Sequence, residues 1–502
     1  MSTETQRIQK LKKNTISSII LQITTVVCGF IIPRMILGAF GSNMNGLVNS
    51  ISQFLSVITF LEFGVGTVVQ STLYKPLASN DKVEISKIMV SAQKFFNILA
   101  LILLIYILVL MGVYPFFVVD KFDYLYTAAM LFVLSFGLVI QYYYGITNRL
   151  LLTADQCGYI SNNIFTVTII INAIACWLLI TCGASLLLVK FISSLIFVVR
   201  PIALMMYVKR HYDIDYHVKY ESEPIKQKWN GVAQHIAAVV MESTDLIVLT
   251  IFSTLANVSI YSIYNIVILG VKQLFLSTVT GIQSLLGELI AKQEKEKLKN
   301  YFSWIEWSIH TGSTYVFSLT FILIVPFIEV YTKGITDANY IQPSFAFFMI
   351  LAHAFHCFRL PYNIMILAAG HFKQTQMCYI YAALLNIVIS IVCVNKLGLV
   401  GVAIGTLVAL AYQIIWMVLY NAKYLITRPL THFVKQIFVD CLSISLALML
   451  SRYFSLQSTT YFSWFILAIQ QALVFGVIVF ALNCVFYKNK ILKFLSFIKS
   501  KR

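Results

Sequence analysis

The residues able to do chemistry in this chain are charges placed inside apolar runs. Lys272 sits within 259–286, about a dozen residues from either end. At about 1.5 Å of rise per residue that is nearly 20 Å of depth, too far for the ammonium to reach a headgroup. A cation at that depth costs about 2.5–3.5 kcal/mol even on insertion scales, so it needs a cavity or a partner. Tyr261, Asn265 and Gln283 share one helical stripe with Lys272. A polar stripe with a charge at mid-depth suits a transport pathway. A lysine held by a neighbouring carboxylate suits a structural ion pair, and the residues alone leave both readings open.

Other apolar runs carry similar groups. In 14–37 the residues Thr15, Ser18, Gln22, Thr25, Gly29 and Pro33 form a small, polar stripe. Arg34 follows, able to bind a phosphate through its planar fork or to extend to the headgroups. In 46–73 the polar face holds Asn49, Ser56, Thr59 and Gln70, with Asn45 just before it and Glu62 beside it, placed to pair with Lys272 or Arg34. In 232–254, His235, Glu242 and Asp245 lie on one side, the two carboxylates at i, i+3. That pair is a candidate site for H⁺ or Na⁺ coupling, or a partner for Lys272. In 342–368, His353, His356, Arg359 and Asn363 occupy one arc, a candidate cavity or portal surface. Lys94, Lys190 and Arg200 lie nearer span ends, where long side chains reach the interface.

The elements that must position these groups are membrane-spanning helices. The 502 residues are 59% hydrophobic and 11% charged, against about 25% charged in soluble domains. Fourteen spans are predicted: 14–37, 46–73, 88–113, 125–148, 159–180, 185–208, 232–254, 259–286, 303–329, 342–368, 376–395, 400–421, 435–451 and 463–487. Lysine and arginine concentrate in alternate loops and both tails, while the opposite loops hold only Lys121, Lys333, Lys396 and Arg452. This asymmetry predicts cytoplasmic termini and explains the +17 charge as an orientation signal with some attraction to anionic lipids. It leaves no nucleic-acid footprint. The first run is too long for a signal-peptide core. The nine cysteines are scattered, so neither a metal site nor a disulfide framework is predicted. No Walker motif is present and no loop is long enough for a soluble catalytic domain, which argues against an ATPase, glycosyltransferase, polymerase or ligase.

An internal repeat appears at a spacing near 215 residues. LLTADQCGY (151–159) aligns with ILAAGHFKQ (366–374), carrying Asn148 onto Asn363 and Gly183 onto Gly398. Six spans separate the copies, so they run in the same sense. The predicted organisation is a tail (1–13), an N-lobe (14–208), a cytoplasmic linker (209–231), a C-lobe (232–421), two further spans (422–487) and a basic tail (488–502).

The opening KKNTISSIILQITTVVCGFIIPRMILGAFGSNMNGLVNSISQFLSVITFLEFGVG, the second-lobe VSIYSIYNIV and the paired LLTADQ and ILAAGHF turns resemble the multidrug/oligosaccharidyl-lipid/polysaccharide exporter superfamily. The chain is most similar there to its polysaccharide branch of Wzx-type flippases. The resemblance implies an all-α, MATE-like fold of about fourteen helices: two six-helix lobes in parallel repeat, plus two C-terminal helices. It further implies alternating access and export of an undecaprenyl-diphosphate-linked sugar unit across the cell's inner (plasma) membrane, alongside glycosyltransferases and a polysaccharide polymerase. Lys272 resembles a cationic cavity position of related lipid II flippases, and Arg34 does so more loosely. On that reading Lys272, Arg359 and Arg34 face the diphosphate, and Gln22, Asn49, Glu62, Tyr261, Asn265, Gln283 and His356 line the cavity. No covalent bond changes, and no cofactor is implied beyond a coupling H⁺ or Na⁺ at Glu242 and Asp245. An H⁺- or Na⁺-coupled multidrug exporter and a lipid II-type flippase are the alternatives on the same fold.

Overall fold

The computed structural model describes residues 3–57, 60–220, 222–225 and 243–492. Among the described residues every regular element is helical, and twelve stretches are long and apolar enough to cross a membrane. The helices are α1 (Thr3–Ser56), α2 (Phe60–Ser79), α3 (Lys82–Val113), α4 (Tyr124–Ile140), α5 (Ile146–Ala154), α6 (Gly158–Thr181), α7 (Leu186–His211), α8 (Ser243–Phe252) and α9 (Leu255–Leu276). They continue as α10 (Val279–Ala291), α11 (Lys295–Tyr331), α12 (Pro343–Phe358), α13 (Leu360–Ala368), α14 (Phe372–Leu397), α15 (Leu399–Tyr420), α16 (Thr431–Ser451) and α17 (Tyr461–Phe486). Outward-facing apolar residues such as Leu108, Val392 and Leu473 are exposed, as a lipid-facing surface requires.

The chain has the all-helical polytopic fold that its sequence predicts, with fewer uninterrupted spans. The predicted 46–73 is divided: α1 carries its first part and stops at Ser56, and α2 resumes at Phe60. The turn predicted ahead of it reduces to a break within α1 at Gly41, whose φ of 83° and ψ of 177° are open to glycine alone. The predicted 232–254 is described only from residue 243 onward, so His235 and Glu242 lie outside the described residues, as does Thr59.

By packing, the chain falls into two units, Met1–Ser259 and Ile260–Arg502. The repeat seen in the sequence recurs in their backbones. Left-handed residues follow one another at matching places: Asn80, Gln156 and Gly183 in the first unit, Gln293, Gly370 and Gly398 in the second. The nine-residue α5 and the nine-residue α13 precede matching turns.

Within the first unit the TADQ segment (153–156) is a junction. Lys10 donates to the Asp155 carbonyl at 2.9 Å and pairs with its carboxylate at 3.4 Å. The Tyr212 hydroxyl donates to the same carboxylate at 2.7 Å. Burial, then that carboxylate, push the Tyr212 phenol up. Asn14 bridges the Gln156 carbonyl and the Tyr159 amide. The start of α1, the α5–α6 turn and the end of α7 are thereby tied together. The chain after α7 also lies on α3: the Asp215 amide donates to Ser86, Ser91 donates to Glu223, and Ile225 is buried. By contrast, the KQEKEK segment carries only the exposed pairs Lys292–Glu288, Lys297–Glu294 and Lys299–Glu296.

In the second unit α14 and α15 pack at backbone contact. A Cβ on Gly401 would meet the Cys393 carbonyl carbon at 2.5 Å, and one on Gly405 would meet Ser390 Oγ at 2.1 Å. Two small residues four apart let helices approach this closely in a membrane. Gly405→Leu is expected to lower the thermal midpoint in detergent by the equivalent of about 2 kcal/mol or more, the overpacking range. Gly281→Ala, where nothing lies within 4 Å, is expected to leave it unchanged or higher. Equal midpoints for Gly405→Leu and the parent would contradict the close approach.

Candidate functional site

In the second unit the break between α12 and α13 positions a cationic cluster. Pro361 has no amide hydrogen for the Cys357 carbonyl, and the helix is interrupted at Arg359 (φ −77°, ψ −16°). Its backbone still bonds to Phe355 and Asn363, at 3.0 Å each, so the side chain is held at the bend. Arg359 is only 8% exposed. One nitrogen donates to His356 Nδ1 at 3.2 Å. Arginine cannot accept, so this contact makes His356 a neutral ring with its proton on Nε2. Arg359 also bonds to Tyr379, whose hydroxyl in turn donates to Asn363. Nε and Nη1 of the guanidinium make no hydrogen bond to the described residues, and neither does Nδ1 of His353.

Lys272, from α9, is 4% exposed and is an electrostatic neighbour of His353, His356 and Cys357. The structure therefore brings Lys272 together with the tenth-span residues predicted as a separate surface. A buried lysine and a buried, partly unsatisfied arginine beside a neutral histidine form a site suited to an anion.

The other residues of the predicted stripe divide. Tyr261 is buried with its ring 5.8 Å from Phe345, and Asn265 is half-buried on the same helix. Gln283 is half-buried on α10, beyond a break that ends the continuous stripe. The break falls at Ser277 and Thr278, whose hydroxyls bond back to the Leu274 and Phe275 carbonyls. In the first unit Arg34 is half-buried, with a guanidinium nitrogen 3.3 Å from where a Gly38 Cβ would sit. Gln22 is exposed on α1. Asn49 is half-buried and donates to the Asn45 carbonyl at 2.8 Å, while Asn45 donates to Ser259 at 2.7 Å. Glu62 falls on α2, and Asp245 is buried on α8.

A second polar centre was not anticipated. Glu306, 4% exposed, accepts from Tyr362 and pairs with Arg428. One turn along α11, His310 Nδ1 lies 2.9 Å from Asp440 Oδ2 on α16. The Lys490 ammonium, beyond α17, donates to Ser303. Burial lowers it to about 8, opposed by Glu306. The sequence signal was available: Glu306 and His310 are i, i+4 within an apolar run, and Asp440 stands inside another.

A guanidinium with two unsatisfied nitrogens weakens the fold, since each buried donor without a partner costs about 1–3 kcal/mol. Arg359→Met should therefore leave the thermal midpoint of the purified protein unchanged or raise it. Glu306→Gln, which strips Arg428 of its counter-charge, should lower it. A fall for Arg359→Met as large as that for Glu306→Gln would show Arg359 to be structural.

No known family model matches the sequence, and no curated protein matches it. The fold is similar to solved transporter structures. Lipid II flippase MurJ in an inward closed conformation aligns with a TM-score of 0.72 at 12% identity, covering 95% of this chain and 100% of that one. An inward-facing multidrug-resistance MATE transporter of the MOP superfamily aligns at 0.65 and 14% identity, covering 80% and 94%. The MATE multidrug transporter DinF-BH aligns at 0.60 and 14% identity, covering 83% and 95%. At these identities the likeness is one of fold, and the chain has the MurJ- and MATE-like fold.

Proposed function

We propose that the chain is a flippase that moves a lipid-diphosphate-linked oligosaccharide from the inner to the outer leaflet by alternating access. The observation that carries this is Arg359, buried beside Lys272 with two nitrogens that bond to none of the described residues. A diphosphate supplies what that site lacks: dispersed negative charge and oxygen acceptors able to engage a guanidinium and an ammonium together. His356, neutral and held by Arg359, adds an N–H donor. Asn363 and Tyr379 next to it offer amide and hydroxyl groups to sugar hydroxyls. The fold shared with a lipid II flippase agrees with a lipid-linked substrate. Cationic drugs, the cargo of a multidrug exporter, would be repelled by the same cluster. The glycosyltransferases that build the glycan and a polymerase that consumes it are the expected functional partners, and the plasma membrane the expected location.

Moving about two negative charges outward is favoured by an inside-negative potential, at about 2.3 kcal/mol per charge per 100 mV. In proteoliposomes carrying a prenyl-diphosphate-linked glycan, flipping is expected to accelerate when such a potential is imposed. Lys272→Ala and Arg359→Gln are each expected to slow it by about tenfold or more, since a hydrogen bond to a charged group contributes about 1.5–3 kcal/mol. Normal rates in both variants, or protection of a pump-deficient host against cationic drugs by the parent, would overturn the reading.

A further inference from the structure

The carboxylate-centred group in the second unit is not explained by an anion-binding site. Its residues come from four places: Glu306 and His310 on α11, Tyr362 on α13, Arg428 before α16, and Asp440 on α16. Oε1 of Glu306 takes both Arg428 and Tyr362. Asp440 accepts from Gln436 at 3.1 Å and faces His310, both partners of the ion pair being almost completely buried. Glu306 has two cations about it, Arg428 and Lys490. Asp440 pairs with His310, and a proton on that ring gives this buried carboxylate an adjacent counter-charge.

The proton has a place. His310 Nε2 makes no hydrogen bond to the described residues. Ahead of it on α11 the hydroxyls of Ser313, Thr314 and Ser318 make none either. Thr314 and Ser318 border a cavity of about 80 Å³ between α11, α12 and α16 whose other walls are apolar, Phe358 among them. That ring is stacked on His310 at 4.8 Å.

Titratable and charged groups surround His310 on several packed elements. On α11 it is Glu306; on α13, Tyr362; on α16, Asp440 and, further out, Lys435; before α16, Arg428; beyond α17, Tyr487 and Lys490. From α12 the facing group is the Phe358 ring, with His353 and His356 turned to the Lys272 cluster. From α17 it is the uncharged Asn483, bonded to Trp307, and α10 contributes Glu288, paired with Lys292 at the surface.

We propose that His310 and Asp440 form a proton-binding site, and that its loading is coupled to substrate movement through the α12–α13 junction. Phe358 stacks on His310, the next residue is Arg359 of the cationic cluster, and Tyr362, one residue beyond Pro361, bonds Glu306. Consecutive residues of one bend thus touch both centres. A proton taken at His310 Nε2 makes an imidazolium paired with the Asp440 carboxylate; its loss leaves the neutral ring and an uncompensated carboxylate. The coupling rests on the transport function proposed above, whereas proton binding does not.

Two measurements on the full-length protein test this separately. Infrared difference spectra between acid and alkaline samples should show one histidine signal that His310→Gln removes and Asp440→Asn displaces. Spectra unchanged in both variants would overturn the proton site. If either variant fails to purify as a single species, the apolar double variant His310→Phe/Asp440→Leu carries no buried charge and takes its place. In proteoliposomes, a gradient of one pH unit should change the parent's flipping rate by up to about tenfold, the limit for one coupled proton. The ratio of rates with and without the gradient should fall to about one in His310→Gln and recover in part in Asp440→Glu. A ratio of one in the parent, with flipping itself intact, would overturn the coupling and leave the anion site standing.

Discussion

Charge inside a low-dielectric helix bundle has to be compensated, and the second unit is organised around two answers to that demand. One centre is built on carboxylates and supplies its own counter-charges: Arg428 and Tyr362 for Glu306, His310 and Gln436 for Asp440. The other is built on cations and is left incomplete at Arg359, two of whose nitrogens bond to no described residue. Burying a guanidinium in that state is unfavourable on its own. It becomes reasonable where a ligand completes it.

The internal repeat shows how this asymmetry arose on a shared backbone. In the first unit Gly145 closes a π-helical turn and opens α5; in the second, Arg359 stands at the bend that opens α13. The left-handed turns after α5 and α13, and those between α6 and α7 and between α14 and α15, fall in the same order. The scaffold is thus repeated while the chemistry at its breaks is not. Glycine at one bend leaves packing space; arginine at the other brings a charge to the interior.

Much of this was legible from residue types. Lys272, Arg359 and His356 stand out because ionisable groups within apolar runs are expensive wherever they fall. The repeat was readable from the matching order of spans and lengths of loops more than from shared letters. What could not be read was which runs meet. Periodicity placed Gln283 on the Lys272 stripe, but the helix breaks between Leu276 and Val279. Nothing in the local sequence links Lys272 to His353 and His356, since they become electrostatic neighbours only in the folded chain. Asp155 looked like an ordinary turn residue because its partners, Lys10 and Tyr212, lie far away in sequence. Glu306, His310 and Asp440 stand three, seven and five residues inside their predicted spans, far shallower than Lys272, so depth alone does not single them out in the sequence.

The central claim is that the Lys272–Arg359 cluster is completed by a diphosphate. Its most direct test is the thermal midpoint of the purified protein with increasing inorganic diphosphate, compared with equal ionic strength of chloride. A ligand bound only by the folded state stabilises it by about 2.7 kcal/mol at one hundred times its dissociation constant. The account predicts a saturable rise with diphosphate in the parent protein and none in Arg359→Met. A rise of the same size in both, or none in either, would contradict it.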